Sequence, residues 1–167
     1  MYCDPINSDK RKSSVKILNV LLKSLLRWFA PILSFTTEEI YQLVSTKSKS
    51  IHLEKFLKFP DKFKDKKLEE KWSELMKIRD VCNISIEEKR ASKEIGSSLE
   101  ADLLIKLNKK YKEIVEDIDL TEICIVSKTN INFDEQSEIL VETKKALGNK
   151  CPICWKISVD PCERHPQ

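Results

Sequence analysis

The stretch Arg27-Trp28-Phe29-Ala30-Pro31-Ile32-Leu33-Ser34-Phe35-Thr36-Thr37-Glu38-Glu39-Ile40 decides the fold class of this 167-residue chain. Proline has no backbone N–H to donate, so Pro31 predicts that a preceding helix ends or kinks there. Thr36 followed three residues later by Glu39 has the form of a capping box, which predicts the start of a second helix. The stretch therefore predicts two helices that meet at a corner.

Apolar periodicity extends this helical prediction in both directions. Upstream of the break, candidate N-caps at 7–9 precede one helical stripe, formed by Val15, Leu18, Leu22, Leu25 and Phe29. Downstream, a third helix is predicted over about 66–91, with a second stripe formed by Leu68, Trp72, Leu75, Arg79, Cys82 and Ile86. We expect Trp28, Phe35 and Trp72 to lie in the core.

Beyond Gly96, which is expected to end the third helix, the pattern changes to that of a small α+β unit. Strands are predicted over 99–107, 120–126 and 139–145, with a short helix over 109–118. The predicted fold is thus mainly α, with a helical bundle over 1–95, a small α+β unit over 96–147 and a cysteine-containing tail over 148–167.

Composition places the chain among globular proteins, since 41% of its residues are apolar and 34% are charged. The formal net charge of +3 combines a net charge of +6 over 1–98 with −3 over 99–167. A mildly basic helical half is compatible with a polyanionic partner. With no apolar run long enough to span a bilayer and no signal-peptide pattern, we expect a cytoplasmic protein without a membrane partner.

Three of the six cysteines, Cys151, Cys154 and Cys162, lie within the last 17 residues. In Lys150-Cys151-Pro152-Ile153-Cys154-Trp155, two thiolates separated by two residues can turn toward one metal ion. Zinc needs four ligands, and Cys162 and His165 are the nearby candidates for a Cys3His set. Only seven residues separate Cys154 from Cys162, which is short for a stable knuckle. The alternative is a pair of free thiols or a redox pair.

Basic residues cluster before Gly96, in the segment 89–98. Lys89, Arg90 and Lys93 can hold phosphates by charge and hydrogen bonding. The alternative is a solvated helix end at which these cations offset the helix dipole. Arg27 is the further residue that a nucleic-acid interface would require to be exposed. No phosphate-binding loop or acid–base pair is evident, so we expect the chain itself to catalyse nothing.

Together these stretches resemble the C-terminal region of the class I ligases for isoleucine, valine and leucine. The segment 27–40 is similar to the start of their anticodon-binding helical domain, and 93–101 to the turn that leads into their small α+β unit. The pair Cys151 and Cys154 is similar to the zinc finger that closes bacterial isoleucine–tRNA ligases. That family places its second cysteine pair further along the chain, so the resemblance implies a zinc half-site here, with Cys162 and His165 doubtful as ligands.

The resemblance also implies a function. The parent enzymes use ATP to join isoleucine to tRNA(Ile), whereas this region would bind the anticodon stem-loop through Arg27, Lys89, Arg90, Lys93 and Trp155. Its other partner would be the catalytic domain of the same protein, in a monomer. A free-standing zinc-stabilised helical scaffold and an intact small RNA-binding protein are the alternatives, and genomic context would distinguish them.

Overall fold

A computed structural model describes residues 4–45, 49–135, 138–162 and 165. The chain divides into two compact units, Met1–Lys64 and Asp65–Gln167. The mainly helical character predicted from the sequence is confirmed. The finer division into 1–95, 96–147 and 148–167 stays a prediction.

The first unit contains the two helices on either side of Pro31. Helix α1 spans Asp9–Phe29 and is capped by Ser8, and helix α2 spans Ser34–Val44. Two single-turn 3-10 helices follow, at Ile51–Leu53 and Asp61–Phe63. The small core of this unit consists of Leu26, Ala30, Tyr41 and Ile51. The predicted helix break is therefore confirmed.

Two details of the first unit differ from the prediction. The predicted capping box is wrong, because α2 begins three residues earlier than a Thr36 cap requires, with Leu33 at its N-cap. Thr37 Oγ1 instead donates to the backbone carbonyl of Leu33 at 2.9 Å. Trp28 and Phe35 are not core residues, since they are 55% and 92% exposed. Leu26, which lies next to the predicted stripe of α1, is buried in the core of this unit.

The second unit packs one long helix against a three-stranded sheet. Helix α3 spans Lys66–Ala91, as predicted. The sheet has the order β2-β1-β3, with β1 parallel to β2 and antiparallel to β3; the strands are Ala101–Asn108, Lys128–Asp134 and Leu140–Lys145. Two short helices, α4 (Lys112–Val115) and α5 (Leu120–Cys124), lie between β1 and β2. A small antiparallel hairpin follows, formed by β4 (Asn149–Lys150) and β5 (Ile157–Ser158), each of which has two residues.

The core of the second unit lies between α3, α5 and β1. On α3 the buried residues are Leu75, Ile78, Cys82 and Ile86, so the predicted stripe holds over the C-terminal part of the helix. It fails at its N-terminal end, where Trp72 is 42% exposed. On β1 alternate residues from Ala101 to Leu107 are fully buried.

The strand predicted over 120–126 is wrong. Asp119 caps this segment as a helix, because its carboxylate accepts a hydrogen bond from the backbone N–H of Thr121 at 2.9 Å. Ile125 then ends helix α5 in the left-handed conformation. The strand that pairs with β1 in parallel begins only at Lys128. Within the described part of the chain, no helix is long and apolar enough to cross a membrane.

Candidate metal centre and nucleic-acid interface

The cysteine-containing tail is built on the β4–β5 hairpin. Gly148 enters it with a φ of 121°, close to the backbone of Ser158. The backbone N–H of Cys151 donates to the carbonyl of Lys156, and that of Trp155 donates to the carbonyl of Cys151, each at 2.9 Å. The resulting tight turn brings Cys151 and Cys154 to one side of the hairpin.

Four metal-ligating side chains meet at this turn. The ligand atoms of Cys151, Cys154, Cys162 and His165 all lie within 4.8 Å of one another. The sulfur atoms of Cys154 and Cys162 are 3.7 Å apart. His165 Nδ1 lies 3.4 Å from the sulfur of Cys162 and 3.6 Å from that of Cys151.

These spacings fit tetrahedral zinc. With Zn–S near 2.3 Å and Zn–N near 2.0–2.1 Å, the edges of such a tetrahedron are about 3.8 Å between sulfurs and about 3.6 Å between sulfur and nitrogen. Three thiols and an imidazole are also a known structural zinc donor set. The resemblance implied a half-site with Cys162 and His165 doubtful, whereas the structure places both residues beside the first cysteine pair, where they could complete a set of four ligands. The seven intervening residues are enough, since the hairpin reverses the chain.

The two cysteines of the first pair have different thiol pKa values. Backbone N–H groups of Cys154 and Ile153 donate to the sulfur of Cys151 and lower its pKa to about 6. Burial raises the pKa of Cys154 to about 11, and the neighbouring sulfurs of Cys151 and Cys162 add to this effect. The site thus holds one thiolate readily, and a cation among the four groups would favour ionisation of the others.

One hydroxyl connects the hairpin to the rest of the second unit. Ser127 Oγ accepts from the backbone N–H of Ile157 in β5 at 2.6 Å. The same hydroxyl donates to the carbonyl of Leu99, two residues before β1. Ser127 therefore links the candidate metal centre to the sheet, and nothing in the sequence pattern marks it for this role.

Trp155 presents an aromatic surface next to the metal centre. It is 58% exposed and has a φ of 66°, which is unusual for a residue other than glycine. The ammonium nitrogen of Lys150 lies 5.0 Å from the centroid of its ring. An exposed ring beside a cation is a surface on which an unpaired base can stack. Lys150 was missed because sequence spacing does not show that it lies over the ring.

The end of α3 differs from the predicted glycine turn. Lys93, and not Gly96, adopts the left-handed conformation, with a φ of 61°. Its N–H donates to the carbonyl of Arg90 at 3.0 Å, and the N–H of Glu94 donates to the carbonyl of Lys89 at 3.1 Å. This is the hydrogen-bond pattern of a Schellman motif, in which glycine usually holds the position of Lys93.

The three cations of this turn are not equivalent. The ammonium group of Lys89 lies 2.9 Å from each carboxylate oxygen of Glu94, and Arg90 forms a 2.7 Å ion pair with Glu87. Lys93 is exposed and has no ion pair among the described residues. The two predicted cations that lie within α3 are therefore already engaged with carboxylates.

Arg27, the remaining candidate for RNA contact, is used inside the first unit. Its guanidinium lies 2.8 Å from Glu54 Oε2 and also donates to the carbonyls of Lys55 and Lys23. Its side chain is only 10% exposed. The expectation that Arg27 is exposed is wrong, because a carboxylate 27 residues away in sequence buries it.

Comparison with known proteins shows the family of this chain. Residues 1–105, more than half of the sequence, match the model of the family described as "Anticodon-binding domain of tRNA ligase". The chain belongs to this family. The matched region includes α1, α2, α3 and the Lys93 turn.

Relatives of this anticodon-binding domain extend the match through the tail. The chain is 60% identical over 165 residues, 99% of its length, to an isoleucine–tRNA ligase of Pelagibacter ubique. It is 40% identical over 159 residues to the isoleucine–tRNA ligase of Methylacidiphilum infernorum, and 34% identical over 171 residues to that of Bartonella henselae. These matches cover 95% and 96% of the chain, respectively, and the chain spans 17–18% of the length of the three relatives.

Proposed function

We propose that this anticodon-binding domain binds the anticodon stem-loop of tRNA(Ile) as part of an isoleucine–tRNA ligase. The observation that carries the proposal is the 60% identity to such a ligase over 99% of the chain, together with the match to the anticodon-binding family. The exposed Trp155 ring and the cations Lys150 and Lys93 supply the chemistry that single-stranded RNA loops require.

In this proposal the RNA loop is held by two kinds of contact. Trp155 stacks on an unpaired base, and Lys150 approaches a phosphate from above the ring. The turn after α3, which carries Lys89, Arg90 and Lys93, lies against the backbone of the stem. Contact through the positive charge of this turn weakens as salt is raised. Arg27 contributes indirectly, because it orders the first unit through Glu54.

We propose zinc as the metal of the tail, with Cys151, Cys154, Cys162 and His165 as its ligands. Three of the distances among these groups, 3.4, 3.6 and 3.7 Å, are close to the edges of a tetrahedral zinc site. When bound, zinc would supply a structural cross-link between the two ends of the hairpin segment. The four residues then fix the Trp155 turn, since Trp155 directly follows one ligand.

The catalytic part of the proposal lies outside this chain. In the parent ligase, ATP-dependent activation of isoleucine would belong to another domain of the same monomeric, cytoplasmic protein. Binding energy gained at the anticodon would position the acceptor end at that domain, which improves transfer as well as capture. The chain alone is proposed to be catalytically inactive.

Equilibrium binding to tRNA(Ile), to a foreign tRNA and to two chimeras made from them tests the proposal. The zinc-loaded chain should bind tRNA(Ile) more tightly than a chimeric tRNA(Ile) that carries the anticodon stem-loop of another tRNA, measured by fluorescence anisotropy at one fixed salt concentration. Reciprocally, a foreign tRNA given the tRNA(Ile) stem-loop should gain affinity. Equal affinity for all four RNAs would contradict anticodon recognition, and no binding would contradict the RNA-binding function.

A further inference from the structure

At the Lys93 turn, an unusual backbone conformation coincides with a charge that forms no ion pair with any other described residue. Lys93, Ile125 and Trp155 are the described non-glycine residues with a positive φ. Left-handed conformations strain residues that carry a Cβ, and glycine relieves this strain at the end of a helix. Here a lysine occupies the position, although a glycine stands three residues later at Gly96.

The electrostatic surroundings single out the same residue. Glu94 neutralises Lys89, and Glu87 neutralises Arg90, through contacts of 2.9 and 2.7 Å. A shallow cavity of about 480 Å³ adjoins the turn and is lined by Glu87, Arg90, Ala91, Lys93, Ile95 and Gly96. Because Glu87 cancels Arg90, this lining keeps one net positive charge, which is that of Lys93.

We infer that Lys93 is the phosphate-contacting residue of this turn, whereas Lys89 and Arg90 act by holding the end of α3 in shape. The inference rests on the proposed RNA-binding function and reduces the number of phosphate-contacting cations in this turn from three to one. Lys93 lies two residues beyond the end of α3 and lines the cavity. A phosphate oxygen of the RNA backbone is the ligand that fits one exposed ammonium group.

Replacement of Lys93 should affect RNA affinity and thermal stability in different ways. Lys93→Gly removes the charge and relieves the left-handed strain, so the melting temperature should stay unchanged or rise by up to about 4 °C. RNA affinity should nevertheless fall about threefold to tenfold at about 0.1 M salt. The slope of log affinity against log salt should become shallower by about 0.7 to 0.9, the value for one phosphate contact.

Two further variants serve as controls, and the probe is a synthetic tRNA(Ile) anticodon stem-loop. Lys93→Arg keeps the charge and should retain the affinity and salt slope of the unaltered chain. The double variant Lys89→Gln with Glu94→Gln removes an ion pair without changing net charge, and it should leave the salt slope unchanged. All variants are measured as the full 167-residue chain with zinc.

The outcomes distinguish this inference from the function on which it rests. If the unaltered chain binds and Lys93→Gly binds with the same affinity and salt slope, the inference is overturned and the RNA-binding function stands. A loss of affinity accompanied by a lower melting temperature assigns Lys93 a structural role and also overturns it. If the double variant makes the salt slope as shallow as Lys93→Gly does, the distinction between Lys93 and its neighbours is overturned. If the unaltered chain binds no RNA, both proposals fail.

Discussion

Replacing Gly148 with alanine should disrupt the candidate metal centre without touching any ligand. A Cβ at this position would lie 2.1 Å from the carbonyl oxygen of Ser158, 2.2 Å from its carbon and 2.5 Å from the nitrogen of Val159. All three are backbone atoms, so no side-chain rotation can relieve the clash. The φ of 121° is also strained for alanine.

The size of the expected loss in zinc affinity follows from the separation of β4 and β5 that the new Cβ requires. The hairpin pairs Asn149 with Ser158 and Lys150 with Ile157, and the two strands must separate for the Cβ to fit. Loss of this pairing costs about 1 kcal/mol for each hydrogen bond. The left-handed backbone costs about 1–2 kcal/mol more. With about one or two hydrogen bonds lost, the total cost is about 3 kcal/mol. This corresponds to a decrease in zinc affinity of about a hundredfold, because folding of the hairpin and metal binding are coupled.

Zinc affinity is measured by competition with a chromophoric chelator. The chain provides a matched control in its other glycine, since a Cβ at Gly96 would meet only the flexible carboxylate of Glu100, at 3.5 Å. We expect Gly96→Ala to bind zinc as the unaltered chain does, and Gly148→Ala to bind it about a hundredfold more weakly. Equal zinc affinity for the two variants would refute the hairpin geometry on which the site depends.

Three further predictions concern the framework of the two units. Ser127→Ala should leave the zinc stoichiometry unchanged but speed amide hydrogen exchange at Ile157 about tenfold, because that N–H loses its acceptor. Unchanged exchange would show that Ser127 does not link the hairpin to the sheet. In urea denaturation, Trp72→Ala should lower the free energy of unfolding by about 1 kcal/mol, because Trp72 is 42% exposed. Leu75→Ala should lower it by about 2–5 kcal/mol, because Leu75 is fully buried. Similar losses for the two variants would contradict the burial pattern of α3. Arg27→Ala should cost about 2 kcal/mol in the same assay, because the carboxylate of Glu54, whose side chain is 21% exposed, loses its cationic partner. A loss below about 0.5 kcal/mol would show that this ion pair contributes little to stability.

Local signals in the sequence predicted the helices well. Pro31 marks a break because it has no N–H, and this holds in any tertiary setting. The bounds of α3 follow from apolar periodicity over 26 residues, long enough for a few exposed positions such as Trp72 not to disturb it. The failure at 120–126 is also local: β-branched residues suggested a strand, whereas the cap supplied by Asp119 favours a helix.

Long-range contacts account for what the sequence did not show. Strand β2 carries mostly polar residues, which are exposed or half-buried, so its place beside β1 depends on pairing and not on its own pattern. Glu54 buries Arg27 from a separate segment, and only the folded chain brings them together. The cysteine pair was recognised from its spacing, but its proximity to Cys162 and His165 depends on the hairpin that Gly148 permits.

Nuclease protection of tRNA(Ile) by the zinc-loaded chain shows directly which part of the RNA this domain covers. Because the chain matches the anticodon-binding family, we expect protection confined to the anticodon stem-loop, with the acceptor stem and the 3′ end cleaved as in free tRNA. The protection should weaken as salt is raised. Protection of the acceptor stem, or a cleavage pattern identical to that of free tRNA, would contradict the proposed binding to the anticodon stem-loop.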